Sequence, residues 1–128
     1  MKYLVTGGAG FIGSNLVDYL CRIGHEVIVI DNLSSGKKEY INPNAKFYQR
    51  DLSVRDYDDL FEGVSVVFHL AAKAEVDPSI ENPLPFHNTN INGTLNVLMA
   101  CREYKVKRIV YSASSSCYCT PTEIPPTE

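Results

Sequence analysis

The chain has 128 residues, with 12 Lys and Arg against 15 Asp and Glu for a net charge of -3, 45% apolar residues, 8 Gly, 7 Pro, 4 Cys and no Trp. A chain of this size buries roughly two thirds of its unfolded surface, enough for a core without disulfide or metal staples, so disorder and a disulfide scaffold are not expected. Lys and Arg are scattered rather than clustered, which leaves no footprint for a nucleic-acid backbone or an anionic membrane surface.

Lys2–Thr6 is a short β-rich run, followed by Gly7-Gly8-Ala9-Gly10 and then by apolar positions Ile12, Leu16, Leu20 and Ile23 at helical spacing. This predicts a strand, a tight glycine turn and an amphipathic helix, with Gly24 where a helix C-cap is expected. Glu26–Ile30 reads as a buried strand, Asp31–Asn44 as a polar connector, and Ala45–Gln49 as a weaker third strand. A short helix is predicted over Ser53–Phe61, with Ser53 as N-cap and Gly63 closing it. Ser65–Leu70 is the fourth strand. A proline-bearing loop with Pro78, Pro83 and Pro85 precedes a long helix over Phe86–Tyr104, whose apolar stripe is read as Ile91, Leu95, Leu98 and Met99. Its Gly93 costs about 1 kcal/mol relative to Ala, which implies a close approach at that point. Arg108–Ser112 is the fifth strand, and residues 113–128 are Ser-rich and then Pro-rich.

Strands alternating with helices imply an α/β doubly wound parallel sheet of five strands, in the order 3-2-1-4-5. Residues 1–112 would form one nucleotide-binding domain, and 113–128 an exit segment. The N-terminal stretch is interrupted by glycines and does not read as a signal peptide. The longest nearly apolar run, Val64–Ala72, is far below the ~20 residues of a membrane span. Cys21, Cys101, Cys117 and Cys119 lie apart except for the last pair, and no His stands beside that pair at a zinc-ligand spacing. Reduced thiols, no metal and a cytoplasmic location are therefore expected.

The strongest chemical signal is Thr6-Gly7-Gly8-Ala9-Gly10-Phe11-Ile12-Gly13, between strand and helix. Gly8, Gly10 and Gly13 satisfy G-x-G-x-x-G, and Gly7, Gly10 and Gly13 the wider G-x-x-G-x-x-G form. Glycines allow the sharp turn, the approach of a pyrophosphate to the backbone and close helix–strand packing, while the helix N-terminus offers N–H groups and partial positive charge. Asp31 follows at the end of the second strand, where a ribose diol would be held, and its charge favours NAD over NADP. Asp51 and Leu52 end the third strand on the same edge, with Asp51 open to two readings, an adenine contact or a helix cap. A plain tight turn at the glycines and a solvated Asp31 are the bland alternatives.

These segments, taken with His69-Leu70-Ala71-Ala72, Val76-Asp77-Pro78-Ser79-Ile80, Asn90-Ile91-Asn92-Gly93-Thr94 and Tyr111-Ser112-Ala113-Ser114-Ser115-Ser116-Cys117-Tyr118, make the chain resemble the extended short-chain dehydrogenase/reductase family. The resemblance covers the whole chain and is closest to the NAD-dependent nucleotide-sugar epimerases and dehydratases of the UDP-glucose 4-epimerase-like type. It implies a Rossmann-type fold, NAD as cofactor, and a nucleotide-diphosphate sugar as substrate, converted through a transient 4-keto sugar. It implies further that Phe11 and Ile12 cover the pyrophosphate, that Asp31 and Asn32 hold the adenosine ribose, and that Ser34, Ser35 and Gly36 line the adenine side. Asp51 and Leu52 would contact adenine, Leu70, Ala71, Ala72 and Lys73 would run under the cofactor, and Asn90 would support the nicotinamide half. Lys73 is equally readable as a solvated loop lysine, and His69 and His87 as structural residues.

Ser114, four residues before Tyr118, matches the family's catalytic serine, although the serine cluster also reads as a polar strand exit. The family's general base is a tyrosine in a Tyr-x-x-x-Lys motif, whose lysine favours the phenolate. The fourth residues after Tyr3, Tyr19, Tyr40, Tyr48, Tyr57, Tyr104, Tyr111 and Tyr118 are Gly7, Ile23, Asn44, Leu52, Phe61, Arg108, Ser115 and Thr122. None is lysine, and a phenol of pKa near 10 is a poor base at neutral pH. The chain alone is thus expected to be inactive and to stop before the motif, with a non-catalytic NAD-binding module as the alternative. Self-association through helix 86–104 or the edge of the fifth strand is also expected. Cys119 departs from the family, which usually has glycine after the tyrosine.

Overall fold

The computed structural model describes residues 1–114 and Cys117. The expectations placed on Ser115, Ser116, Tyr118, Cys119 and most of the exit segment lie outside the described residues. Five strands, β1 (Lys2–Thr6), β2 (Glu26–Asp31), β3 (Lys46–Gln49), β4 (Val66–His69) and β5 (Arg108–Tyr111), form one parallel sheet in the order β3-β2-β1-β4-β5, as the alternating pattern predicts. Thr6 pairs with Ile30 on one side and His69 on the other, and His69 pairs with Tyr111, so the strand ends lie in one row.

Helix α1 (Phe11–Arg22) lies on one face of the sheet, where Val17 and Leu20 pack on Val5, Val27 and Val29. The helix ends as Gly24 predicts. Gly24 takes φ +82°, its N–H donates to the Cys21 carbonyl and the His25 N–H to the Leu20 carbonyl, the paired bonds of a Schellman cap. On the other face, Leu4, Ile28, Ile30 and Val67 meet Leu52, Tyr57, Phe61, Val97, Ala100 and Cys101. Period-2 alternation along buried parallel strands thus feeds two apolar layers, one on each face.

Three predicted elements differ. The helix over 53–61 is a single 3-10 turn, Asp58–Phe61, because the Asp51 side chain captures the Ser53 N–H and hydroxyl and folds the chain into a turn instead. Arg55 pairs with Asp58 within this segment and, at 2.7 Å, ties it to Glu103 near the end of the long helix. The proline loop contains two short helices, α2 (Val76–Glu81) and α3 (Pro83–His87). Pro78, Pro83 and Pro85 all sit in first turns, where a missing N–H has no helical partner to lose.

The long helix runs on from α3 through a π-helical turn, Asn88–Gly93, into α4 (Thr94–Glu103). Its buried face is Gly93, Val97, Ala100 and Cys101, whereas Ile91, Leu95 and Leu98 are exposed. Both rows have helical spacing, so period alone did not choose between them. Proximity did, because a Cβ on Gly93 would stand 3.1 Å from the Leu52 Cβ, and only a residue without a side chain lets the helix come this close to the turn that follows β3. Among the described residues, no helix is long and apolar enough to cross a membrane.

Candidate functional site

A cleft of about 340 Å³ opens at the carboxyl ends of β1, β2 and β4, over the N-terminus of α1. It lies where the strand order reverses between β1 and β4, the place at which open α/β sheets bind ligands. The glycine turn forms one wall. Gly7 takes φ +70°, and a Cβ there would lie 2.8 Å from the Ala71 nitrogen. A Cβ on Gly13 would lie 2.2 Å from the Gly7 carbonyl oxygen, and one on Gly8 2.6 Å from Val29. Gly8 and Gly13 therefore let α1 pack against the strands, while Gly7 fits the turn under the loop that leaves β4. Gly10, extended at φ -81° and ψ 174°, starts the helix without a side-chain cap. The first helical bond runs from the Ser14 N–H to the Gly10 carbonyl, so the Phe11, Ile12 and Gly13 N–H groups precede it at the cleft wall. Such a helix end suits an anion.

The acid at the end of β2 does more than its position predicts. Asp31 is buried and accepts from the Ala9 N–H at 3.0 Å and the Leu33 N–H at 2.8 Å, tying the glycine turn to the next loop and holding Leu33 at φ +61°. Gly36 packs on Ala9 so closely that a Cβ would meet it at 2.8 Å, and the Lys37 N–H donates to the Ala9 carbonyl. Asp51 caps no helix, since the segment after it is a turn. It caps its own turn through Ser53, accepts from the Asn32 amide at 3.0 Å, and lines the cleft. The Ser53 hydroxyl foremost, with the Ser53 N–H and Asn32, holds its carboxyl below the usual range against partial burial.

Of the residues expected at the cofactor, Gly7, Gly10, Phe11, Ile12, Gly13, Asp31, Asn32, Ser34, Ser35, Gly36, Asp51, Leu52, Leu70, Ala71 and Ala72 line this one cleft. Lys73, Asn90 and Ser114 stand outside its wall. Asn90 clamps the main chain of Lys73, accepting its N–H at 2.9 Å and donating to its carbonyl at 2.8 Å. The Lys73 ammonium lies over the Phe86 ring, 5.9 Å from its centre, and the residue as a whole is partly buried. Ser114 is exposed past the end of β5, its carbonyl accepting the Cys117 N–H. Four further wall residues were not anticipated, Ile30, Arg50, Thr89 and Ser112. Register reveals two of them, since Arg50 and Ser112 directly follow β3 and β5. Thr89 enters through the π-helical turn, which nothing in the local sequence announces.

Comparison with known proteins agrees with this geometry. A model of the NAD dependent epimerase/dehydratase family matches residues 3–128. A solved UDP-galactose 4-epimerase is 46% identical, covers 98% of this chain and 42% of its own, and superposes with a TM-score of 0.88. A UDP-glucose 4-epimerase of Thermotoga maritima, solved with UDP-glucose, is 42% identical over 99% of this chain and 42% of its own, with a TM-score of 0.87. The UDP-glucose 4-epimerase of Streptococcus mutans is 40% identical over 130 residues, covering 98% of this chain and 39% of that protein. The chain spans about two fifths of the length of the curated relatives it matches. With the family model matching nearly the whole chain, and with solved 4-epimerases superposing on its fold, the chain belongs to the NAD dependent epimerase/dehydratase family.

Proposed function

We propose that the cleft binds NAD and that the protein works in 4-epimerisation of a nucleotide-diphosphate sugar, as a UDP-glucose 4-epimerase-like enzyme. The observation that carries this reading is the uncapped N-terminus of α1, with its three N–H groups at the wall of a cleft whose β2 end holds a buried carboxylate. NAD, when bound, supplies the acceptor and donor of a hydride at the sugar. The chain's own residues then have separate tasks. Phe11, Ile12 and Gly13 present N–H groups to the pyrophosphate, Asp31 and Asn32 hold the adenosine ribose, and Asp51 with Leu52 meets adenine. Asn90 fixes the main chain at Lys73, so that the loop from Leu70 keeps its course beneath the cofactor. Ser114, at the exit of β5, is assigned the hydrogen bond to the sugar hydroxyl.

These 128 residues are expected to bind NAD without converting a sugar nucleotide, because no tyrosine among them has lysine four positions on. Calorimetry with NAD and NADP, paired with an epimerase assay on UDP-glucose, tests both halves. Absence of NAD binding overturns the assignment of the cleft, and turnover by the purified chain overturns the expectation of inactivity.

Two surfaces suit association of the chain with itself. Ile91, Leu95 and Leu98 expose 56%, 54% and 46% of their surface along one helical row, and β5 ends the sheet with Val110 and Tyr111 exposed. Sedimentation velocity is expected to show concentration-dependent association. Leu95→Glu should weaken it by about tenfold or more, since burying one leucine contributes ~1.5–3 kcal/mol. A wild-type chain that stays monomeric at high concentration would remove this proposal.

A further inference from the structure

His69 is the last residue of β4, is 1% exposed, and forms no part of the cleft wall. Its ring spans two hydroxyls, with Nδ1 2.7 Å from the Thr6 Oγ1 at the end of β1 and Nε2 2.8 Å from the Thr94 Oγ1 on α4. It stacks on Tyr111 at the end of β5, with ring centres 5.6 Å apart, and its carbonyl accepts the Ser112 N–H. Three strand ends and one helix therefore meet on this side chain and its peptide.

The direction of each bond follows from Thr6. Its Oγ1 accepts the Ala71 N–H at 3.3 Å and, at 3.2 Å, the Leu70 N–H, which it shares with the Thr6 carbonyl, so both lone pairs of the hydroxyl face N–H groups. The hydroxyl hydrogen then points to Nδ1 of His69, so Nδ1 accepts and the ring carries its hydrogen on Nε2, which donates to Thr94. The ring is a neutral imidazole of fixed tautomer. Burial agrees, pushing its pKa down to about 4.

Leu70 and Ala71 are floor residues of the cleft, and Ala71 is pressed against Gly7 with no room for a methyl group. A shift of a few tenths of an ångström in this loop alters the cleft. Asp31 marks the adenosine end beside β2, and the α1 N-terminus marks the pyrophosphate. The floor at Leu70–Ala72 and Ser112 therefore belongs to the second nucleoside of a dinucleotide.

We infer that His69 is a positioning residue that acts through Thr6, holding the Leu70–Ala71 floor in register for the nicotinamide half of the cofactor. The inference rests on the reading of the cleft as an NAD site. Two isosteric variants separate the two ring contacts. The Asn oxygen of His69→Asn replaces Nδ1 and keeps the bond from Thr6, whereas the Gln nitrogen of His69→Gln replaces Nε2 and keeps only Thr94.

The measurement is the ratio of NAD to ADP affinity by calorimetry on the full chain, ADP carrying only the adenosine and pyrophosphate part. His69→Gln is expected to lower the ratio about tenfold, and His69→Asn to restore it to within about twofold of wild type. Thr6→Val, which deletes the shared hydroxyl, should repeat the Gln result and serves if the Gln variant does not fold. Equal ratios in the Asn and Gln variants, or parallel losses for NAD and ADP, overturn the role of His69 while leaving the NAD site standing. A wild-type chain that binds neither ligand overturns the NAD reading itself, and this inference with it.

Discussion

Gly13→Ala is expected to be the most damaging single methyl group that this chain can receive. Its Cβ would stand 2.2 Å from the Gly7 carbonyl oxygen and 2.8 Å from the Gly8 Cα. Both are backbone atoms of the turn that directly follows β1, the strand paired with β2 on one side and β4 on the other. No side chain can swing away, so α1 must lift from the sheet and loosen Val17 and Leu20 from Val5, Val27 and Val29. Overpacking of this kind costs about 3 kcal/mol, or roughly 12 °C in Tm for a domain of this size. The same lift moves the Phe11–Gly13 N–H groups, so NAD affinity should fall with stability. Gly24→Ala is the internal standard. It also adds a methyl beside α1, but into open space at φ +82°, and only left-handed strain of about 1 kcal/mol applies. Thermal unfolding by circular dichroism compares the two, and equal losses would show that the close packing of Gly13 is not what holds α1 in place.

The difference between these glycines bears on what the sequence makes legible. The glycine motif, the β-rich runs and the helical period of α1 are local, and each element forms where its own residues direct it. The sheet order follows, because right-handed crossovers leave few alternatives. Fifteen cleft residues come together for the same reason, each being within a few positions of a strand end or of the α1 N-terminus. What was not legible depends on contacts between segments distant in sequence. The buried row of α4 is selected by Leu52 pressing on Gly93, forty-one positions away, not by hydrophobicity, which favours the exposed row Ile91, Leu95 and Leu98. The 51–57 segment escapes a helix because Asp51 captures Ser53 and Asn32. His69 reads as a structural histidine from its apolar strand, and its ties to Thr6, Thr94 and Tyr111 exist only once three strands and a helix are assembled.

Asp31→Asn is expected to lose nearly as much as Asp31→Ala, a result that a simple ribose ligand would not give. A solvent-facing acid that contacts only a diol should be replaced by Asn at modest cost, since the amide still offers one acceptor and one donor. In the fold, however, both carboxylate oxygens face N–H groups, Oδ2 toward Ala9 and Oδ1 toward Leu33. Ala9 is fully buried, so its N–H has no water to turn to. An amide at this position satisfies one N–H and sets its own NH2 against the other. The lost charge-assisted bond and the buried orphan donor together cost about 3 kcal/mol, close to the effect of Ala. The glycine turn and the Leu33 loop then move independently, and the adenosine end of the cleft widens. Both variants should therefore unfold roughly 10 °C below wild type and bind NAD at least about tenfold more weakly, with ADP affected in parallel because the damage lies on the adenosine side. An Asn variant with wild-type Tm and weakened NAD binding would show instead that Asp31 serves the ribose alone, and that the two backbone bonds contribute little to the fold.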